Sequence, residues 1–139
     1  MKQSLARMVL FAGIAACSGP AGADDSITSG CSGGITGGGY GVTVERDGRI
    51  YRWHAPTSHD ARDEVEVRND PTEASQLFAS LDEMGFVAMG YQETGDMTCS
   101  LTVVSGESEH AVTWPHGQTG APAEARAMAE RLLAFLEPE

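Results

Sequence analysis

The segment "YGVTVERDGRIYRWHA", residues 40–55, constrains the fold more than any other part of the chain. Apolar and polar residues alternate on both sides of Asp47-Gly48, a dipeptide that readily supplies the positive φ angles of a tight hairpin turn. Tyr40 begins the apolar face of the first strand, and Trp53 lies on one face of the second. This pattern predicts a β-hairpin at the start of the folded domain.

The sequence predicts two helices. Signals at both ends indicate the first, and an apolar stripe indicates the second. Asp70 is placed to cap a helix that begins at Pro71, with Glu73 able to reach back to the cap, and Gly85 is a natural left-handed terminator. Residues 123–136, "AEARAMAERLLAFL", carry a second apolar stripe at helical spacing. We expect both helices to lie against the hairpin.

A second hairpin follows the first helix. Strands are predicted at Met97–Val104 and His110–Trp114, on either side of the turn "GESE". Residues 56–70 are polar and acidic, with Val65 and Val67 as the only hint of a strand, so they are predicted to be a connecting loop. The expected fold is α+β in the order ββαββα, a four-stranded antiparallel sheet with both helices packed on one face.

The N-terminus is typical of an export signal. "MKQSLAR" is positively charged, and the apolar run that follows is too short to span a bilayer. "IAAC", Ile14 to Cys17, resembles the lipobox of bacterial lipoproteins, which implies a signal peptide at 1–16 and acylation of Cys17 with chains such as palmitate. This form would be an outer-membrane lipoprotein that faces the periplasm and is anchored to the bilayer by its lipid. The alternative is cleavage after Ala23, which would release a soluble periplasmic or secreted protein.

The charge of the chain argues against binding to nucleic acid. Removal of residues 1–16 eliminates Lys2 and Arg7 but no acidic residue, so the formal net charge falls from −11 to −13. Such a chain repels phosphate backbones and anionic lipid headgroups. Membrane attachment is therefore expected through lipid and not through a basic patch.

A Gly-rich segment separates the export signal from the first predicted strand. Residues 17–39 are small and polar without apolar periodicity, so we expect a flexible tether before a single domain at 40–139. The segment contains no phosphate-binding glycine motif. Cys31 and Cys99 are the two cysteines expected to remain as thiols, and in an oxidising compartment they predict a disulfide.

The residues suited to catalysis or metal binding are not arranged in a known pattern. The four histidines lack a tight ligand spacing, and the serines and carboxylates match no nucleophile motif; the histidines are His54, His59, His110 and His116. The sequence therefore predicts no enzyme activity, no catalytic residue, no metal site and no cofactor. Solvent-facing or singly hydrogen-bonded histidines are the expected alternative.

Two tryptophans near strand ends are candidates for binding or for the core. Trp53 and Trp114 each lie close to the end of the second strand of a hairpin, and tryptophan is enriched at binding hot spots. The alternative is that both indoles cap the core. We predict a protein-contacting edge formed by the Gly33–Tyr40 segment with Trp53 or Trp114; the candidate residues are Gly33, Gly34, Tyr40, Trp53 and Trp114.

Four segments carry a family resemblance: "SGGITGGGYGVTVERDGRIYRW", "LFASLDEMGF", "MTCSLTVVSGESEHAVTW" and the closing amphipathic helix. Together they resemble a group of small exported bacterial proteins and, more distantly, emfourin, a proteinaceous inhibitor of thermolysin-type metallopeptidases. The resemblance covers residues 33–137 and implies the fold and an inhibitory role. The chain departs from emfourin in its export signal and its pair of cysteines.

Two classes of function follow. The first is a non-catalytic envelope protein that binds another protein such as a peptidase. The second is a periplasmic domain that binds a small molecule or a metal.

Overall fold

The computed structural model describes residues 25–118 and 120–137, which form one six-stranded antiparallel sheet and two helices. The strand order across the sheet is β4-β3-β2-β1-β5-β6. The strands are β1 (Ser26–Gly33), β2 (Gly37–Glu45), β3 (Arg49–Thr57), β4 (Asp63–Asn69), β5 (Met97–Ser105) and β6 (Ser108–Pro115). The helices are α1 (Pro71–Glu83) and α2 (Ala123–Leu133), with 3-10 turns at Phe86–Ala88 and Ala134–Leu136.

The predicted four-stranded ββαββα fold is wrong. The element order is ββββαββα, and the protein is mostly β. The two predicted hairpins are present as β2–β3 and β5–β6, but strands β1 and β4 lie in segments that were predicted to be a tether and a loop. Because these two segments are polar, their composition did not indicate that they form strands.

Strand β1 occupies the centre of the sheet, between β2 and β5, and corrects the prediction of a flexible tether over 17–39. Its residues alternate between two faces. Ile27, Ser29 and Cys31 lie on the face covered by the helices, called the helix face below. Thr28 and Gly30 lie on the face opposite the two helices, called the open face. Only Ile27 and Cys31 are apolar, and glycine is depleted in strands, so the pattern was too weak to predict β1.

Strand β4 forms one edge of the sheet, within residues predicted to be a connecting loop. All seven of its residues are exposed, and it pairs only with β3, through a register shift opposite Ile50 and Tyr51. An edge strand of this kind does not need an apolar face, and charged residues on it oppose pairing with other chains. The acidic composition is therefore compatible with a strand.

The β2–β3 hairpin is confirmed, with a turn one residue longer than predicted. Arg46, Asp47 and Gly48 connect the strands, and the Gly48 amide donates to the Glu45 carbonyl at 2.9 Å. Only Gly48 has a positive φ, of 108°. The Asp47-Gly48 pair thus marks the turn but does not adopt two left-handed conformations.

Helix α1 begins as its sequence predicts. The Asp70 carboxylate accepts a hydrogen bond from the Glu73 amide at 3.0 Å, and Pro71 is the first helical residue. The Glu73 side chain does not reach back to the cap; it accepts a hydrogen bond from Arg131 of α2 at 2.6 Å. This ion pair links the two helices.

One core joins both helices to the helix face of the sheet. Leu77 of α1 and Leu132 of α2 are fully buried in it, together with Ile27, Val42 and Leu101 from the central strands. Both helices therefore cover the same face of the sheet. No helix within residues 25–118 and 120–137 has the length and apolar character needed to cross a membrane.

Asp25 fixes the start of β1. Its carboxylate is only 8% exposed and accepts hydrogen bonds from Arg46 Nε at 3.1 Å and from the Gly106 amide at 3.0 Å. Its carbonyl oxygen also accepts a bond from the Arg46 amide. One side chain thus ties the central strand to the β2–β3 and β5–β6 turns.

We expect Asp25→Ala to lower the free energy of unfolding by about 1–3 kcal/mol, because it leaves the Gly106 amide and the Arg46 guanidinium without their carboxylate acceptor. Urea unfolding followed by circular dichroism measures the change. Glu107→Ala is the matched control, since it removes an exposed carboxylate from the turn that contains Gly106. Equal stabilities of the two variants would contradict this role of Asp25.

Candidate functional site

The turn between β1 and β2 carries the most exposed apolar residue of the described chain. It consists of Gly34-Ile35-Thr36, and the Ile35 side chain is fully exposed. Gly34 and Gly37, which flank the tip, have φ values of 75° and 74°, so the backbone reverses through conformations that favour glycine. Ile35 is thereby held at the apex of the hairpin, away from the core.

This turn is braced from two sides. The Gly34 amide donates to the Asp96 carbonyl at 2.6 Å, and the Thr36 carbonyl accepts from the Ser58 amide at 3.1 Å. Within the turn, the Gly38 amide donates to Thr36 Oγ1 at 3.2 Å. Long-range hydrogen bonds to the segment before β5 and to the β3–β4 turn therefore restrict a loop whose composition suggests freedom.

A disulfide lies at the base of the same loop. Cys31 and Cys99 are bonded, which confirms the predicted pairing, and they are directly opposed across β1 and β5 with their Cα atoms 3.9 Å apart. Cys31 is 3% exposed and Cys99 is 7% exposed. Cys31 lies three residues before Gly34, so the disulfide links β1 to β5 close to the turn.

A cleft of about 320 Å³ opens beside this disulfide on the helix face. Tyr40 of β2 and Trp114 of β6 both line it, because the strand register places Tyr40, Cys31, Cys99 and Trp114 in one row across four strands. Arg126 is among the residues that α2 contributes to its opposite wall. The cleft thus combines two aromatic side chains with charged groups next to the braced turn.

Four of the five residues predicted to bind a partner meet at this end of the sheet. Gly33 and Gly34 lie in or beside the turn, and Tyr40 and Trp114 line the cleft. Trp114 is only 7% exposed and belongs to the core, which supports the alternative that it caps the core while one edge borders the cleft. The name loop end is used below for this cleft together with the turn and its two flanking residues, that is, residues 33–37.

Trp53 is not part of the loop end; of the two tryptophans predicted as alternatives for the binding edge, Trp114 lies there. Trp53 lies on the open face, where its indole covers the opposed glycines Gly30 and Gly41. A Cβ atom on Gly41 would overlap Trp53 Cζ2, and one on Gly30 would lie 2.6 Å from the same atom. The two glycines therefore form the floor on which the indole rests.

The other side of this indole is covered by a cation. The Arg62 guanidinium carbon is 3.9 Å from the ring centroid, and Trp53 is only 6% exposed. Trp53 Nε1 is buried and has no hydrogen-bond partner within the described residues. Tyr51 lies on the same face; partial burial raises the pKa of its phenol, and the Glu45 carboxylate acts in the same direction.

The histidines are dispersed. His54, His59 and His116 are exposed, whereas His110 Nε2 is 2.7 Å from the Met89 carbonyl oxygen and the ring packs edge-on against Phe86. Within residues 25–118 and 120–137, no three His, Cys, Asp or Glu side chains approach closely enough to hold a metal ion. His110 is thus the singly hydrogen-bonded histidine that the sequence suggested.

Sequence reasoning missed Ile35 and the glycine floor. An isolated apolar residue between two pairs of small residues, "GGITGG", is the signal that could have identified the exposed tip. The floor depends on the register that places Gly41 opposite both Gly30 and Trp53, and a register cannot be obtained from composition. Cys17 and Ala23, the two candidate processing positions, lie outside the described residues.

Comparison with known proteins gives no relative: no protein-family model matches the chain, and no curated protein matches it.

Replacing both cysteines by serine should lower the free energy of unfolding by about 2–5 kcal/mol, because the bridge spans a sequence separation of 68 and restricts the unfolded chain. Guanidinium unfolding of the oxidised protein, the reduced protein and the double variant measures this change. The reduced protein and the double variant should have the same free energy of unfolding, and that value should be lower than the value for the oxidised protein. Identical midpoints for all three would show that the disulfide does not stabilise the domain.

Gly41→Ala should cost about 1–3 kcal/mol of stability, since the added methyl group would overlap Trp53 and the Ser29 carbonyl oxygen. Gly90→Ala is the control, because a Cβ atom there meets nothing within 4 Å. Thermal unfolding distinguishes them: Gly90→Ala should remain near the wild-type midpoint. A wild-type midpoint for Gly41→Ala would mean that Trp53 does not rest on this floor.

Proposed function

We propose that this chain is a non-catalytic cell-envelope protein that binds another protein through the loop end. The observation that carries the proposal is the complete exposure of Ile35 at the apex of a turn fixed by hydrogen bonds and a nearby disulfide. Burial of an isoleucine side chain contributes about 1.5–3 kcal/mol, and within one chain this free energy is obtained in the core. Because Ile35 is at the loop tip, this free energy is gained only when a partner buries its side chain.

The bracing of the turn supports binding because ordering a loop opposes association. A loop already held in its bound conformation loses less conformational entropy when a partner arrives. The bonds from Gly34 to Asp96 and from Ser58 to Thr36 provide that order in the free protein. Tyr40 and Trp114, which line the adjacent cleft, supply aromatic contact area of the kind found at binding hot spots.

Inhibition of a peptidase is the specific form of this proposal that the emfourin resemblance supports. A narrow projecting turn can enter the substrate cleft of a peptidase, and its stiffness opposes the extended conformation required for cleavage. The export signal at the N-terminus supports an envelope location, with lipid attachment at Cys17 or release after Ala23 as the two forms of the mature protein.

Ile35→Asp should abolish capture of the envelope partner, because it places a carboxylate where the partner accepts an apolar side chain. The mature domain is immobilised, exposed to the solubilised native envelope, and the retained proteins are identified by mass spectrometry. Val87→Asp is the control: Val87 is 74% exposed and lies near Ser105 and Arg46, at the opposite end of the sheet. Equal retention by the two variants would contradict binding through the loop end.

A stoichiometric excess of the wild-type domain should block peptide hydrolysis by a thermolysin-type metallopeptidase and should itself remain intact on a gel. Ile35→Asp should fail to block hydrolysis, while Val87→Asp should block it as the wild type does. If the wild-type domain does not reduce hydrolysis but specifically captures another protein, peptidase inhibition is contradicted and the binding function still stands.

A further inference from the structure

A second surface, on the open face, has the composition of a ligand site. A cavity of about 270 Å³ lies over β1 and β5, with Gly30 in its floor and Trp53 among its lining residues. Side chains of Thr28, Ser100 and Thr102 line it with hydroxyl groups. Neither α1 nor α2 covers this face, because both pack into the core on the other side of the sheet.

Polar groups of this cavity have hydrogen-bonding capacity that the protein does not use. Within the described ranges, the hydroxyl groups of Ser100 and Thr102 make no hydrogen bond, whereas Thr28 is bonded to Thr43 at 3.0 Å. Trp53 Nε1 is likewise unpartnered, although the residue is more than nine-tenths buried. Buried polar groups in native proteins usually have partners, so this unused donor points to a bound molecule that supplies an acceptor.

The charges around the cavity balance each other. Arg62 lies over Trp53, and Glu109 lines the cavity from β6, on the other side of the central strands. One cation and one anion on separate sides favour a ligand without net charge. The acidity of the whole chain, with a formal net charge of −11, also opposes an anionic ligand.

The backbone of this cavity cannot accept an extended peptide by strand addition. Strands β1 and β5 are each paired on both sides, so no free backbone edge is available for an added strand. Hydroxyl groups that both donate and accept, beside an indole, instead match a molecule rich in hydroxyl groups.

We propose that this cavity binds a neutral saccharide. Ser100 and Thr102 hydrogen-bond the sugar hydroxyl groups, and the indole of Trp53 provides the apolar plate for a pyranose ring. Arg62 is exposed and precedes β4, so its side chain can leave the indole when the sugar arrives. Its departure exposes the face of the indole to the sugar ring. This site is separate from the loop end and does not depend on the function proposed for that surface.

Titration of the ¹⁵N-labelled mature domain with triacetylchitotriose and with maltotriose tests the proposal. At least one of them should shift the indole resonance of Trp53, which is assigned by its loss in Trp53→Phe, and should leave that of Trp114 unchanged. Thr102→Val removes one hydroxyl and keeps a β-branched side chain, so it should weaken binding about tenfold or more.

Thr113→Val is the matched control, because Thr113 is on β6 beside Ser100 but does not line the cavity, and it should bind as the wild type does. The proposal is overturned if neither saccharide shifts the Trp53 resonance at millimolar concentration, or if galacturonic acid binds more tightly than both. Equal affinities of Thr102→Val and the wild type would also overturn it.

Discussion

The pairing of β1 with both β2 and β5 is the constraint on which the rest of this domain depends. Without β1 the two hairpins share no hydrogen bonds, and the core between sheet and helices would lack Ile27 and Cys31. Asp25 anchors the start of this strand to two turns, and the disulfide secures its other end to β5. One small, polar strand therefore joins the sheet and positions the surfaces described above.

The residues of β1 and β2 have a structural role on each face of the sheet. Large side chains on the open face at positions 30 and 41 would prevent Trp53 from lying across the strands. On the helix face, Cys31 takes part in the row that brings Tyr40 and Trp114 to the cleft beside the turn. The glycines are thus part of the folded structure, and the same segment that suggested a tether forms the floor of one candidate site and the tip of another.

The sequence could predict the elements whose signals are local. The Asp70 cap, the alternation around Asp47-Gly48 and the pairing of two remaining cysteines require only neighbouring residues or a count, and the structure agrees with each in outline. Strand β1 is stabilised by two neighbours distant in sequence and β4 is an exposed edge, so neither needs an apolar pattern of its own. The separation of Trp53 from Trp114 follows from register, which local patterns do not determine.

The proposed binding of another protein takes place at the tip of the β1–β2 turn. Photo-crosslinking in intact cells tests it most directly, with a photoreactive amino acid introduced at Ile35 and, in a second strain, at Val87. A discrete crosslinked adduct of one partner protein is expected from position 35 and none from position 87. The absence of an adduct at position 35, or the same adducts from both positions, would contradict it.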